Sequence, residues 1–293
     1  MKVTEGYMNF LDYQTYYRIV GEKSDKAPLL LLHGGPGSTH NYFELFDELA
    51  LDRRQIIMYD QLGCGLSSMP DKKELWHAET WLDELVNLRN HLQLDELHLL
   101  GQSWGGMLLI KYMCDLKPKG IKSIILSSTL SSSALWKKEQ HRLIKLMSQE
   151  DQEQIAYAEK YNDFNQPEYL AANDRFMLKH ASDIPNELSK EPLRRKKNRG
   201  EQAYLYAWGP NEFSPMGTLK DFDYTKQLKE IKVPTLITSG SDDLSTPLVS
   251  KTMFDEIENA KWELFGNSRH MPFVDEEDLY KTILKKWLKE NDC

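Results

Sequence analysis

The chain has 293 residues, and at about 150 residues per domain this allows two domains or one large domain carrying an insertion. A net charge of −8, from 37 Lys plus Arg against 45 Asp plus Glu, disfavours nucleic acid, because phosphate binding needs clustered cations. An apolar fraction of 40% with 11% aromatics is that of a folded globular protein and excludes a disordered chain.

The N-terminal stretch MKVTEGYMNFLDYQTYY has no apolar run of signal-peptide length, and nowhere do about 18 uncharged apolar residues follow one another. The expectation is a cytoplasmic protein that neither crosses nor binds a membrane. Cys64, Cys114 and Cys293 are odd in number and lack CxxC spacing, so free thiols are expected, with no disulfide framework and no zinc site.

Short apolar runs bounded by turn residues predict buried parallel strands at 29–32, 56–59, 97–100, 121–126, 233–238 and 261–265. Their starts lie 27, 41, 24, 112 and 28 residues apart. The shorter gaps each fit one crossover helix, and 79–92 supplies one, with Leu82, Leu85, Val86, Leu88 and Leu92 on its apolar face. An open α/β sheet follows. The long gap predicts a helical cap at 131–215, inserted between a first core part at 1–130 and a second at 216–293. Within the cap, 135–147 and 152–161 read as amphipathic helices, followed by breakers at Pro167, Pro185, Pro192, Gly209 and Pro210. The basic run Arg194, Arg195, Lys196, Lys197 and Arg199 reads as a solvated helix face.

Directly after the 97–100 strand stands Gly101-Gln102-Ser103-Trp104-Gly105-Gly106, followed by a helix-like segment. Gly-x-Ser-x-Gly between a buried strand and a helix is the context of a nucleophile elbow, where helix and strand pack too closely for side chains at the glycine positions. Ser103 is therefore the expected nucleophile. His33-Gly34-Gly35-Pro36-Gly37 closes the first run where this architecture recruits an oxyanion-hole amide. Gly35 is the chosen donor, joined by the amide of Trp104.

A serine hydroxyl needs a base, and in this order of motifs the acid and then the histidine follow the serine. His141, His180 and His270 come after Ser103; the first two fall in the cap, which leaves His270, beyond the last strand, as the base. His33, His40, His77, His91 and His98 precede the nucleophile and read as structural or surface residues, with His33 lining the site. The acid belongs in the turn Ser239-Gly240-Ser241-Asp242-Asp243-Leu244, where spacing leaves Asp242 and Asp243 both open.

Together these motifs resemble the proline iminopeptidases, the prolyl aminopeptidase branch of the α/β-hydrolase fold. The likeness covers nearly the whole chain. It is carried by His33-Gly34-Gly35-Pro36-Gly37, Tyr59-Asp60-Gln61-Leu62-Gly63-Cys64-Gly65-Leu66-Ser67, the Ser103 motif, Trp208-Gly209-Pro210-Asn211-Glu212-Phe213 and the His270 turn. The resemblance implies that Asp243, three residues after the glycine closing its strand, is the triad acid. It also implies that Glu212 faces the substrate's free α-ammonium, that no cofactor or metal is required, and that the substrate is a short peptide or aminoacyl amide. Leu244 stands where many relatives carry Glu, which implies a looser prolyl preference and keeps an amino-acid amidase or small-acyl esterase as the alternative. A non-catalytic ligand-binding relative is the alternative of another class, and its mark would be a lost triad member. Cys64 falls inside the second motif without a nucleophilic role.

Overall fold

The computed structural model describes residues 1–292. Eight strands form one sheet: β1 (Val3–Phe10), β2 (Tyr13–Val20), β3 (Leu29–Leu32), β4 (Ile56–Tyr59), β5 (Leu97–Gln102), β6 (Ile121–Ser127), β7 (Thr235–Gly240) and β8 (Ala260–Phe265). Their spatial order is β1-β2-β4-β3-β5-β6-β7-β8, with β2 antiparallel to both its neighbours and all other pairs parallel.

All six runs overlap strands, but 261–265 is not a buried one: β8 is an edge strand in which only Phe265 is buried, so Lys261 and Glu263 can alternate with its apolar residues. The hydrophobicity of the inner runs has a simple cause, since a parallel sheet is covered on both faces and successive side chains enter opposite cores. Leu30, Leu32, Ile57, Tyr59, Leu99, Ile124 and Ile237 enter one core, while Leu29, Leu31, Ile56, Met58, Ile125 and Leu236 enter the other. Each such aliphatic side chain removed from water contributes about 1.5–3 kcal/mol.

The run expected at 233–238 is ordered as β7 two residues later, because Pro234 has no N–H for the ladder and only its carbonyl is used, accepting from Ile124 N at 3.0 Å. The hairpin β1–β2 has no counterpart in the apolar runs. Only Met8 and Phe10 of β1 are buried, and the turn uses Leu11 at φ 52° instead of a glycine or asparagine.

The helices are α1 (Ala78–His91), α2 (Trp104–Lys111), α3 (Ser133–Ile144), α4 (Gln149–Tyr161), α5 (Pro167–His180), α6 (Glu191–Arg194), α7 (Glu201–Ala207), α8 (Pro247–Glu256), α9 (Pro272–Asp275) and α10 (Glu277–Glu290). Helices α3 and α4 begin before the positions their apolar periodicity suggests, because Ser132 and Ser148 cap them, accepting from Leu135 N at 3.3 Å and Asp151 N at 3.2 Å. Pro167 opens α5 instead of breaking the chain, as a proline does at a first helical position.

Helices α3 to α7 all fall between β6 and β7, and the chain leaving for them meets the chain returning. Ser133 N donates to Phe222 O at 2.9 Å and Tyr224 N to Ser131 O at 2.8 Å, so the two stems pair. The basic run is not a helix face. Helix α6 ends at Arg194; beyond it Arg195 forks onto Glu44 and Glu191, and Lys197 is half-buried over the Tyr42 ring. Gly200 N then donates to Gly37 O at 2.8 Å, which ties this strap to the loop that follows β3. No helix is long and apolar enough to cross a membrane among the described residues.

Candidate active site

Strand β5 runs into Ser103 and α2 begins at Trp104, so Ser103 occupies the turn at φ 54° and ψ −122°. A non-glycine residue there carries about 1–3 kcal/mol of backbone strain, held in place by its surroundings. Ser103 N donates to Ser127 O at 2.9 Å, while Ser103 O accepts from Gly106 N at 2.8 Å and Thr129 Oγ1 at 2.6 Å. A Cβ on Gly101 would overlap the carbonyl of Gly105, and one on Gly105 would overlap that of Leu32. The elbow closes only because both positions lack side chains.

Asp243 is 1% exposed and His270 Nδ1 lies 2.7 Å from its Oδ1. The carboxylate also accepts from Ser245 N at 2.8 Å, Ser128 Oγ at 2.6 Å and Gly240 N at 3.1 Å, so four donors converge on it. Asp242 points elsewhere: it is exposed, its N–H donates to Ser268 O, and its carbonyl takes His180 Nδ1 at 2.8 Å. Burial lowers the proton affinity of His270, but the charge of Asp243 and its hydrogen bond outweigh this and hold it above the ordinary imidazole value. The edge of the Trp136 ring meets the His270 ring at 5.9 Å between centroids.

Ser103 Oγ and His270 make no direct hydrogen bond; the two segments are joined by Gln102, whose Nε2 donates to His270 O at 3.4 Å. Such bonds are often long in free enzymes and tighten around substrate. On the other side of Ser103, a Cβ on Gly34 would come within 3.1 Å of Ser103 Cβ, so the glycine-rich loop lies against the elbow. Gly35 stands at φ 114°, a conformation that needs glycine. Trp104 is the first residue of α2, where an amide has no partner within the helix. His33 does not line the site as a free imidazole. It is fully buried, with Nδ1 on Gly34 O at 2.8 Å and Nε2 accepting from Gln61 N at 3.0 Å, and burial lowers it to about 4.

Glu212 lies beyond α7 in a turn closed by Asn211 Oδ1, which accepts from Phe213 N at 3.0 Å and Ser214 N at 2.7 Å. Its carbonyl takes Trp136 Nε1 at 2.8 Å and its Oε1 takes Tyr204 O–H at 2.8 Å. Burial pushes the Glu212 carboxyl up, against the lowering pull of His270 and of the Tyr204 hydrogen bond, so Glu212 and His270 share one electrostatic environment. Leu244 is 1% exposed within the main core, and its carbonyl accepts from Gln140 Nε2 at 2.6 Å. Cys64 is buried with its thiol on Gln61 O, and burial raises it well above the usual thiol range, which keeps it protonated and inert.

Ser128 and Tyr204, which hold the two acidic groups, and Trp136 beside the imidazole went unread in the sequence, because nothing local marks them. Gln61 lay inside a recognised motif, yet its partners are 28 and 43 residues away.

Residues 27–277 match the family model described as alpha/beta hydrolase fold, the class that the sheet order and the elbow define. The chain is 59% identical to the proline iminopeptidase of Clostridium botulinum over 293 residues, covering 100% of both. The crystal structure of VinJ superposes with a TM-score of 0.90 at 30% identity, over 98% of this chain and 99% of that one. The crystal structure of proline iminopeptidase from Mycobacterium smegmatis gives a TM-score of 0.86 at 26% identity, over 99% of each. The chain belongs to the proline iminopeptidase family of α/β-hydrolases.

Proposed function

We propose that the protein is a cytoplasmic serine aminopeptidase that releases an N-terminal residue, proline foremost, from short peptides and aminoacyl amides. The observation that carries the mechanism is the buried Asp243–His270 pair beside a strained Ser103 turn. Asp243 accepts a hydrogen bond from the Nδ1–H of His270, which keeps the proton on Nδ1 and leaves Nε2 free as a base. His270 takes the Ser103 proton as Oγ attacks the substrate carbonyl, and the amides of Gly35 and Trp104 hold the resulting oxyanion, each worth about 3 kcal/mol. The imidazolium then protonates the departing amine. Water, deprotonated by the same imidazole, releases the acyl group from Ser103.

Glu212 selects the substrate. A part-buried carboxylate near the imidazole is the natural counter-charge for the free amine of an N-terminal residue, and the helices of 131–215 serve as the cap that carries it. Glu212→Gln is expected to lower kcat/KM for a prolyl amide by about 30- to 1,000-fold, the cost of leaving a buried charge unpaired. A short-chain acyl ester, which has no ammonium, should be nearly unaffected. Because burial raises Glu212, free-amine substrates should also lose kcat/KM as pH falls through a carboxyl ionisation above the usual range, a limb missing for the ester. Equal losses on prolyl amide, N-acetylprolyl amide and ester, or a wild type preferring the blocked amide, would reject the aminopeptidase reading.

One observation favours a broader second reading. The buried Leu244 offers no second carboxylate to the amine, so an amino-acid amidase or small-acyl esterase activity on the same triad is expected alongside the prolyl one.

A further inference from the structure

Gln61 is fully buried in the loop after β4 and uses every polar group it has. Its N–H donates to His33 Nε2 at 3.0 Å and its Nε2 to His33 O at 3.0 Å. Its Oε1 accepts the indole N–H of Trp104 at 2.7 Å, and its carbonyl accepts from Cys64 N at 3.2 Å. His33 in turn donates from Nδ1 to Gly34 O at 2.8 Å. One side chain therefore grips the peptide before the Gly34-Gly35 turn with one end and the first residue of α2 with the other.

We infer that Gln61 is a positioning residue for the oxyanion site, setting the spacing between the Gly35 and Trp104 amides through its bonds to His33 and the Trp104 indole. The inference rests on the serine-hydrolase reading above. The chemistry of the amide suits the task, because one donor and one acceptor must face opposite ways, toward a carbonyl and an indole N–H, and only an amide side chain of this length offers both. Glutamate would present an oxygen to the His33 carbonyl.

The loop bearing Gln61 is itself braced. Leu62 N donates to Glu84 Oε1 at 2.9 Å, and Leu62 O accepts from Trp81 Nε1 at 3.0 Å. The Trp81 ring packs edge-on against Trp104 at 5.2 Å, so the loop that carries Gln61 and the indole that Gln61 binds rest on the same tryptophan. Because burial keeps His33 neutral down to about 4, its Nε2 lone pair stays available to Gln61 N–H throughout the range where His270 works as a base.

The test uses Gln61→Met, which removes both side-chain bonds, and Gln61→Glu, which keeps the acceptor for Trp104 and loses the donor to His33. Misplacing an oxyanion donor by about an ångström costs about 100-fold. Both variants should lose kcat by about 30- to 100-fold, with KM within about threefold, on a prolyl amide and on a short acyl ester alike. Affinity for a prolyl boronic acid, whose tetrahedral adduct fills the oxyanion site, should fall with kcat, while affinity for free proline stays. The Gln61→Met, Trp104→Phe double variant should be little worse than Gln61→Met alone.

A loss of proline and boronate affinity in equal proportion overturns the inference, as does unchanged kcat in whichever variant folds. Labelling of the wild type with a serine-directed fluorophosphonate separates the two levels. A label on Ser103 with normal Gln61→Met turnover removes only the role of Gln61, and a label elsewhere removes the serine-hydrolase reading together with it.

Discussion

Ser103→Ala is expected to abolish turnover, by about a million-fold in kcat, and to leave the fold intact. The two residues share a Cβ, so the strain at φ 54° is unchanged, and the bonds that hold the elbow come from the Ser103 backbone. What disappears is the hydroxyl that the proposed mechanism uses as its nucleophile. Substrate affinity should survive, because the proposed amine ligand Glu212 and the proposed oxyanion donors Gly35 and Trp104 remain. Mass spectrometry of fluorophosphonate-treated protein should find the label on Ser103 in the wild type and no label in the variant. An active alanine variant would remove the mechanism.

The second large effect is expected at Asp243→Asn, about 10,000-fold in kcat, against no more than a few-fold for Asp242→Asn. Four donors point at the Asp243 carboxylate: His270 Nδ1, the N–H groups of Ser245 and Gly240, and the Ser128 hydroxyl. An asparagine must turn its NH2 toward one side of that set. Facing His270, it demands a lone pair on Nδ1 and so moves the proton to Nε2, where no base is left. Asp242 is exposed and uses only its backbone here, so its amide should change little. The pH profile adds a signed check. As the proposed base, His270 must be neutral to act, so kcat/KM should fall as pH drops through its ionisation, which Asp243 holds above the ordinary imidazole value against the effect of burial. In Asp243→Asn the residual activity should keep its plateau to lower pH. A larger loss at Asp242, or a limb that moves upward, would contradict the assignment.

Much of this architecture is written locally. The runs 29–32 and 56–59 are apolar throughout, and 97–100 is apolar except for the buried His98, because their strands are covered on both faces. The elbow is legible for a related reason. Gly101 and Gly105 answer a contact between a strand and the helix next to it in sequence, so the steric demand and the residues that meet it sit within a few positions of each other. The β1–β2 hairpin was not legible, because its outer strand buries only two side chains and its turn residue, Leu11, bears no turn signature.

The adjacent aspartates mark the boundary. From spacing alone Asp242 and Asp243 are equivalent, and the family likeness points to Asp243. The fold separates them by burying one carboxylate under Ser128, Gly240 and His270 and leaving the other in solvent. Likewise Glu212 is a loop residue in the sequence; Tyr204 and Trp136 join it to the surroundings of His270 only after α3 and α7 have folded over the sheet. Residue types and steric rules spanning a few residues were enough for the six inner and C-terminal strands, the elbow at Ser103 and the order in which Ser103, the Asp242–Asp243 turn and His270 follow one another. Tertiary contacts show why the acid the family likeness pointed to meets the imidazole, where the carboxylate of Glu212 lies, and that Gln61 bridges His33 and Trp104. Those outcomes depend on burial and on hydrogen bonds between segments tens of residues apart, and no local pattern encodes either.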